Sequence, residues 1–255
     1  MEEGSTLADK SFCRQCVDAG DLGFDFTMAF QPIVNLKLRE VFGYEALVRG
    51  LNNESAFSVI SQVNQDNLYL FDQQCRVKAI ALAAKLGITS ILSINFLPNA
   101  VYKPQRCIPT TLDAATRYGF PTNKIMFEFT EGEKISDTQH VKGIVEYYRE
   151  QGFITAIDDF GEGYSGLGLL ANFQTNIVKL DMGLIRGIDS DTVRQSIVRH
   201  SVNMFRDLNI EPLAEGIETV SESNWLLEAG IDLQQGYLFA KPGFECLPQV
   251  DFMFS

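Results

Sequence analysis

The stretch FITAIDD, residues 153–159, carries the pattern from which the fold class can be predicted. A short, mostly apolar run ends abruptly in two aspartates. The runs ILSINF (91–96) and KIMFEF (124–129) have the same form, because each places a polar side chain behind a run of apolar residues. Short apolar runs of this kind are typical of strands that are buried on both faces of a parallel sheet.

Eight such strands can be predicted along the chain, at residues 26–34, 41–48, 90–96, 124–130, 153–157, 177–180, 211–214 and 233–239. Most intervening segments have helical spacing of apolar residues, and Gly87, Gly119, Gly152 and Gly230 fall where these helices should end. Eight alternating units predict a single (β/α)8 TIM-like barrel of the α/β class. Because only residues 35–40 separate the first two strands, we expect a hairpin there and one antiparallel strand.

The composition of the chain limits which classes of substrate and which cellular compartment can be expected. The 255 residues include 33 acids and 21 Lys plus Arg, giving a net charge of −12. Such a surface repels nucleic acid polymers, so an anionic substrate would need a local positive charge such as a bound metal ion. The N-terminus lacks the pattern of a signal peptide, and no apolar run is long enough to span a membrane. Five cysteines, an odd number, are typical of reduced thiols, so we expect a cytoplasmic protein without a membrane partner.

Residues 1–25 are predicted to form an N-terminal extension to a barrel domain at 26–250. The extension contains Cys13 and Cys16 in a CxxC spacing. This spacing could be half of a zinc site or a redox pair, but no second CxxC or histidine pair accompanies it. Two ordinary thiols on a helix are the simpler interpretation.

Nearly every predicted strand ends in a polar side chain after an apolar run. These side chains are Glu45, Asn95, Glu128, Asp158, Asp159, Lys179, Glu215 and Gln235. In a barrel the carboxyl ends of the parallel strands meet on one face, where active sites of this architecture lie. Each residue alone could be a solvated rim residue, and the aspartate pair could cap a helix. Together they predict a crowded acidic site, which would have to protonate, spread apart or bind metal.

The types of side chain indicate which metal such a site would prefer. Carboxylate and amide oxygens are the ligands that suit Mg²⁺ or Mn²⁺. The two histidines, His140 and His200, do not follow predicted strands, which argues against a zinc hydrolase.

Eight sequence blocks resemble, in order, the motifs of EAL-domain cyclic di-GMP phosphodiesterases. They are FQPIV (30–34), GYEALVRG (43–50), SINFLP (93–98), FEFTE (127–131), IDDFGEGYSGL (157–167), VKLD (178–181), AEGIET (214–219) and QGYLFAKP (235–242). The resemblance covers about residues 26–243. It implies a (β/α)8 barrel with one antiparallel strand, in agreement with the hairpin expected above.

The resemblance also implies roles for individual residues. Glu45, Asn95, Glu128 and Asp158 would bind one metal ion and Asp159 a second, with Glu215 as a further carboxylate of the centre. Lys179 would contact the attacking water, and Glu131 would anchor the loop 159–165. The implied contacts with the nucleotide are Gln31, Glu45, Arg49, Asp181 and Gln235, with Tyr237 and Pro242 beside the base.

The resemblance implies hydrolysis of cyclic di-GMP to linear pGpG with two Mg²⁺ or Mn²⁺ ions, in a homodimer. The alternative is an inactive or weakly active domain that binds cyclic di-GMP or a protein partner as a regulator. Two positions depart from the common pattern, Leu97 where a small polar residue is usual and Glu162 where threonine or alanine is usual. Loss of catalysis would normally remove metal ligands, and none of them is missing here.

Overall fold

A computed structural model of the chain describes residues 22–98, 101, 104–130, 138–163 and 166–252. Its strands are β1 Thr27–Asn35, β2 Glu40–Arg49, β3 Ile91–Asn95, β4 Ile125–Thr130, β5 Ile154–Phe160, β6 Ile177–Leu180, β7 Glu211–Ala214, β8 Leu233–Gln235 and β9 Gly243–Phe244. Its α-helices are α1 Ala56–Ile60, α2 Leu68–Lys85, α3 Pro104–Tyr118, α4 Thr138–Glu150, α5 Gly166–Asn172, α6 Met182–Ile185, α7 Thr192–Asp207 and α8 Val220–Glu228. No helix within these described ranges is both long and apolar enough to cross a bilayer.

The strands close into a barrel. Strands β2 to β8 pair in sequence order and in parallel, and β1 fills the gap between β8 and β2, antiparallel to both. The predicted barrel, the hairpin and the single antiparallel barrel strand are therefore confirmed. The strand β9, which pairs with the first half of β1, was not predicted, because two residues carry no readable periodicity.

The direction of β1 determines where the ends of the described chain lie. Thr27 pairs with Arg49 at the mouth of the barrel, the face where the parallel strands end, whereas Asn35 pairs with Glu40 at the opposite face. Near the other end of the chain, the guanidinium of Arg39 donates to the carbonyl of Phe252, 2.7 Å away. The described chain therefore starts near the mouth and ends near the bottom of the barrel.

Two predicted strand boundaries were wrong. The fifth strand continues to Phe160, so Asp158 and Asp159 lie inside it, where the pairing register is irregular and Asp159 has φ 54°. The eighth strand stops at Gln235 instead of residue 239. A side chain at Gly236 would place its Cβ 2.0 Å from the carbonyl oxygen of Ile217, and this close approach turns the chain away from the sheet.

Alternation along the strands divides the barrel interior into two levels. The lower level is an apolar cluster of Ile33, Met126, Ala156, Ile177, Leu213 and Leu233. Each lies two positions from a predicted site residue on the same strand or, for Leu213 and Glu215, just past its end. Residues two apart along a strand point to the same face. The order of apolar then polar residues along the strands therefore places the polar side chains directly above this apolar layer.

The helices that surround the barrel begin and end for local reasons. Gly87, Gly119, Gly152 and Gly230 all have positive φ, as expected from their positions after helices. At the start of α8, the side chains of Thr219 and Glu222 form a capping box. Residues 1–21 lie outside the described ranges, so the N-terminal extension with Cys13 and Cys16 stays a prediction.

Candidate metal centre

The side chain of Lys179 lies at the centre of the barrel mouth, in contact with acids on three other strands and one acid directly after a fourth. Its ammonium nitrogen is 2.9 Å from Glu128 Oε2, 2.9 Å from Asp158 Oδ1 and 2.8 Å from Glu215 Oε1. The nearest oxygen of Glu45 is 3.8 Å away. The structure thus brings together side chains that are far apart in the sequence, because each follows an apolar position on a barrel strand.

Two amide side chains fix the carboxylate of Glu45. Asn95 Nδ2 donates to Glu45 Oε1 at 2.9 Å, and Gln235 Nε2 donates to Glu45 Oε2 at 2.8 Å. Both oxygens of Glu45 are therefore oriented before any ligand arrives. Asn95 keeps its amide oxygen available, since this contact uses only its nitrogen.

The charges of the cluster shift the pKa values of its members. Burial alone would lower the pKa of Lys179, but the surrounding acids raise it well above its ordinary value, so the ammonium stays charged. Burial alone would raise the pKa of Asp158, but Lys179 and several hydrogen bonds bring it below its ordinary value.

One ammonium does not compensate for all the acids. Burial, together with Glu45 and Asp158, raises the pKa of Glu128 to about 8 although Lys179 opposes the shift. Burial also raises the pKa of Glu215 well above its ordinary value. Burial and the neighbouring Asp158 raise the pKa of Asp159 to about 6. The site is short of positive charge, which is the condition that a divalent cation would relieve.

The arrangement of oxygens fits metal ions. Glu45, Glu128 and Asp158 form one group of potential ligands, and Asp158, Asp159 and Glu215 form a second, with the ligand atoms of each group within 4.8 Å of one another. Within the described residues, Glu128 Oε1 is buried and has no hydrogen-bond partner. An orphaned, buried carboxylate oxygen beside other acids is a fit for a hard cation. A third group, Asp159, Glu162 and Asp181, extends toward α6.

The predicted nucleotide contacts divide into two sets. Gln31, Gln235 and Tyr237 line a cavity of about 230 Å³ that also reaches Glu45 and Glu215. Arg49, Asp181 and Pro242 do not line this cavity. The guanidinium of Arg49 donates to the carbonyl of Val48 at 2.7 Å, and Asp181 Oδ1 accepts the Gly183 amide at the start of α6. The predicted catalytic residue Glu131 lies outside the described residues.

A second cavity, of about 480 Å³, is bordered by Asn95. It is mostly apolar and lies between the ends of β2 and β3 and the helices α1 and α2. Leu47, Val48 and Leu97 contribute to its wall, as does the carboxylate-bearing Asp72. Leu97, one of the two departures from the family pattern, therefore lines a cavity beside the candidate metal centre.

The buried ion pair of Asp72 and Arg76 on α2 was not predicted from the sequence. The four-residue spacing of opposite charges could have indicated a pair. Nothing in the spacing indicates that both side chains are buried behind β3, because that depends on how α2 packs.

Comparisons with known proteins agree with this geometry. The sequence profile described as EAL domain matches residues 21–242. The chain is 30% identical over 223 residues to the blue light- and temperature-regulated antirepressor BluF of Escherichia coli K12, covering 87% of this chain and 55% of BluF. It is 28% identical over 243 residues to the probable cyclic di-GMP phosphodiesterase PdeN of the same organism, covering 89% of this chain and 45% of PdeN. The chain thus spans about half the length of these relatives.

Solved structures are similar as well. A standalone versatile EAL protein from Vibrio cholerae O395, in its c-di-GMP bound form, is 70% identical with a TM-score of 0.90, covering 92% of this chain and 99% of that one. The manganese and cyclic di-GMP complex of Klebsiella pneumoniae BlrP1 is 34% identical with a TM-score of 0.82, covering 88% of this chain and 57% of that one. Given the profile match over most of its length, this chain belongs to the EAL domain family.

Proposed function

We propose that this protein is a metal-dependent phosphodiesterase that hydrolyses cyclic di-GMP to linear pGpG. The observation that carries the proposal is the meeting of Glu45, Glu128, Asp158 and Glu215 around Lys179 at the barrel mouth. Related proteins support the substrate, because structures of the V. cholerae and K. pneumoniae proteins contain cyclic di-GMP. BlrP1 has been solved with manganese and with calcium beside the nucleotide.

Glu45, Asn95, Glu128 and Asp158 would hold one Mg²⁺ or Mn²⁺ ion, and Asp159 would hold a second, with Glu215 completing the centre. Such ions supply positive charge for the phosphodiester and make water a stronger nucleophile at neutral pH. Lys179 orients water and stays protonated, since its pKa is far too high for a general base. Glu131 remains a proposed catalytic residue from the sequence motif.

The nucleotide contacts follow from the same arrangement. Gln31, Gln235 and Tyr237 would contact the nucleotide in the smaller cavity, with Asp181 and Pro242 at its margin. Arg49 would turn from the Val48 carbonyl to offer its planar fork to a phosphate. The apolar cavity beside Asn95 would accommodate one base of the nucleotide. Residues 26–250 form the proposed catalytic domain, acting as a homodimer in the cytoplasm.

A second candidate function is regulation by binding without cleavage. One relative, at 30% identity, is an antirepressor. In that case the same site would bind cyclic di-GMP and alter contacts with another protein.

A turnover assay distinguishes the two functions. Purified protein is incubated with cyclic di-GMP and Mn²⁺ or Mg²⁺, with and without a chelator, and the products are separated by chromatography. We expect pGpG only where metal is free, and Glu45→Ala should lower its formation at least about 100-fold, since Glu45 would be a metal ligand.

Glu40→Ala is the matched control, because Glu40 is an exposed glutamate at the opposite end of the same strand. It should retain full activity. Tight nucleotide binding with no turnover in either metal would establish the regulatory function instead.

A further inference from the structure

A charged network is buried behind the end of β3, outside the candidate metal centre. Arg76 and Tyr148 are fully buried, and Asp72 is 2% exposed. The guanidinium of Arg76 forms an ion pair with Asp72, one helical turn earlier on α2. It also donates to the hydroxyl of Tyr148 on α4 at 3.0 Å.

Stability alone is a poor explanation for such a pair. Taking both charges out of water costs several kcal/mol per ion, and apolar replacements of similar volume are often neutral or stabilising. The network is therefore better explained by what else its members hold in place.

The network contacts the segment from Asn95 to Leu97. The second oxygen of Asp72 accepts the backbone N–H of Leu97 at 3.1 Å, two residues after the candidate ligand Asn95. The Arg76 guanidinium carbon lies 5.9 Å from the ring centroid of Phe96, the residue between them.

This segment is also joined to a second candidate ligand. The backbone N–H of Phe96 donates to the carbonyl of Glu128 at 2.9 Å. The guanidinium carbon lies 5.4 Å from the ring centroid of Phe127, the residue before Glu128. The same buried cation thus packs against the neighbours of two candidate ligands, on two adjacent strands.

We propose that Asp72 and Arg76 are positioning residues that hold the metal-binding end of β3, with Tyr148 as their anchor on α4. Asp72 fixes the Leu97 amide, and Arg76 fixes the Asp72 carboxylate and packs on Phe96. The inference rests on the proposed function for the identity of the ligand, but its test does not depend on turnover.

The main test replaces the pair with apolar side chains in the variant Asp72→Leu/Arg76→Met. Mn²⁺ affinity is measured by calorimetry, hydrogen exchange is followed at the Leu97 amide, and Tm is measured in chelator. We expect a folded variant whose Kd for Mn²⁺ rises by about 10-fold or more, the range found when groups that orient metal ligands are removed. Exchange at the Leu97 amide should accelerate.

The matched control is Asn176→Ala. Asn176 Oδ1 accepts the backbone N–H of Thr155 at 3.0 Å, so it holds a strand in the same way at the bottom of the barrel. This variant should lower Tm and leave the Kd for Mn²⁺ unchanged.

A folded double variant with wild-type Mn²⁺ affinity would overturn the proposal. If the double variant does not fold, Tyr148→Phe decides, because it removes only the hydroxyl that holds Arg76. An unchanged Kd and an unchanged Leu97 exchange rate in Tyr148→Phe would then overturn it, and an increase in both would support it. Wild-type protein that binds Mn²⁺ but does not cleave cyclic di-GMP would remove the proposed function and leave the positioning test intact.

Discussion

At the barrel mouth, five carboxylates of the described residues lie around the ammonium of Lys179. Glu45, Glu128, Asp158 and Glu215 reach Lys179, and Asp159 adjoins them in the second group of potential ligands. Burial and the neighbouring acids raise the pKa values of Glu128 and Glu215, because both favour the protonated form of a carboxyl group. Metal binding would therefore have to displace protons from these two side chains.

This charge shortage predicts how stability depends on pH. The pKa of Glu128 rises from an ordinary 4.5 to about 8 on folding, so the folded state binds more protons than the unfolded state between these values. Its contribution to stability is complete below 4.5 and is lost as pH rises through about 8. In chelator we expect Tm to fall from about pH 5 to pH 8.

Glu128→Gln should flatten that slope, whereas Glu40→Gln at the far end of β2 should not. Saturating Mn²⁺ should also remove the slope, since the metal favours the charged carboxylates. Differential scanning calorimetry across this pH range provides the measurement. A Tm that rises toward pH 8 in chelator would contradict the assignment of raised pKa values.

Removing the central ammonium should reveal how much the cluster depends on it. Lys179→Met leaves buried acids without their partner, and breaking a buried pair typically costs about 3–5 kcal/mol. We expect the free energy of unfolding in chelator to fall by about that amount, and Mn²⁺ to restore more stability than in the wild type. Chemical denaturation measures both values.

Lys142→Met is the comparison, because Lys142 pairs with Glu146 on the surface of α4 at 3.8 Å and should contribute little. Equal losses in the two variants would mean that Lys179 is not an electrostatic centre.

A site residue can be identified from the sequence when the pattern that marks it lies in the residues directly around it. Glu45, Glu128 and Lys179 could be identified from sequence because each follows a run that reads as a buried strand. The burial of the Asp72–Arg76 pair could not be predicted, because it depends on the packing of α2 against β3. The positive φ of Asp159 could not be predicted either. Aspartate can adopt this conformation, so no glycine is needed at the position to mark it.

Among the elements, β2 and β3 lie close together just below the candidate site. Gly43 on β2 faces Ile91 on β3, and a Cβ at Gly43 would lie 2.7 Å from the carbonyl oxygen of Ile91. The two strands approach closely here, only two residues before Glu45. Element order and the hairpin could be predicted from loop length and periodicity. The ends of β5 and β8 could not, because a register irregularity and a contact with Ile217 set them.

Gly43→Ala should therefore push β2 away from β3. We expect a loss of stability of about 1–3 kcal/mol, as for other overpacked sites, together with weaker Mn²⁺ binding as Glu45 is displaced. Gly143→Ala serves as the control, because its Cβ would meet nothing within 4 Å on α4 and alanine favours helix. Thermal unfolding and Mn²⁺ titration of both variants test this, and unchanged Mn²⁺ affinity in Gly43→Ala would refute it.

At the scale of the whole molecule, the net charge of −12 opposes the approach of an anionic nucleotide. Salt screens exposed charges with a Debye length of about 10 Å at 0.1 M, while the metal centre acts at shorter range. With Mn²⁺ saturating, we expect kcat/KM for cyclic di-GMP to rise about twofold or more as NaCl increases from about 10 to 150 mM. A kcat/KM that falls with salt would mean that a positive surface guides the substrate.

The reversed direction of β1 has a practical consequence for protein engineering. Thr27 lies beside Arg49 at the rim, whereas Phe252 contacts Arg39 at the base. A fluorescent reporter fused upstream of residue 22 would be tethered next to the mouth of the barrel, where the proposed site opens. The same reporter joined downstream of residue 252 would hang from the closed end and leave that opening clear.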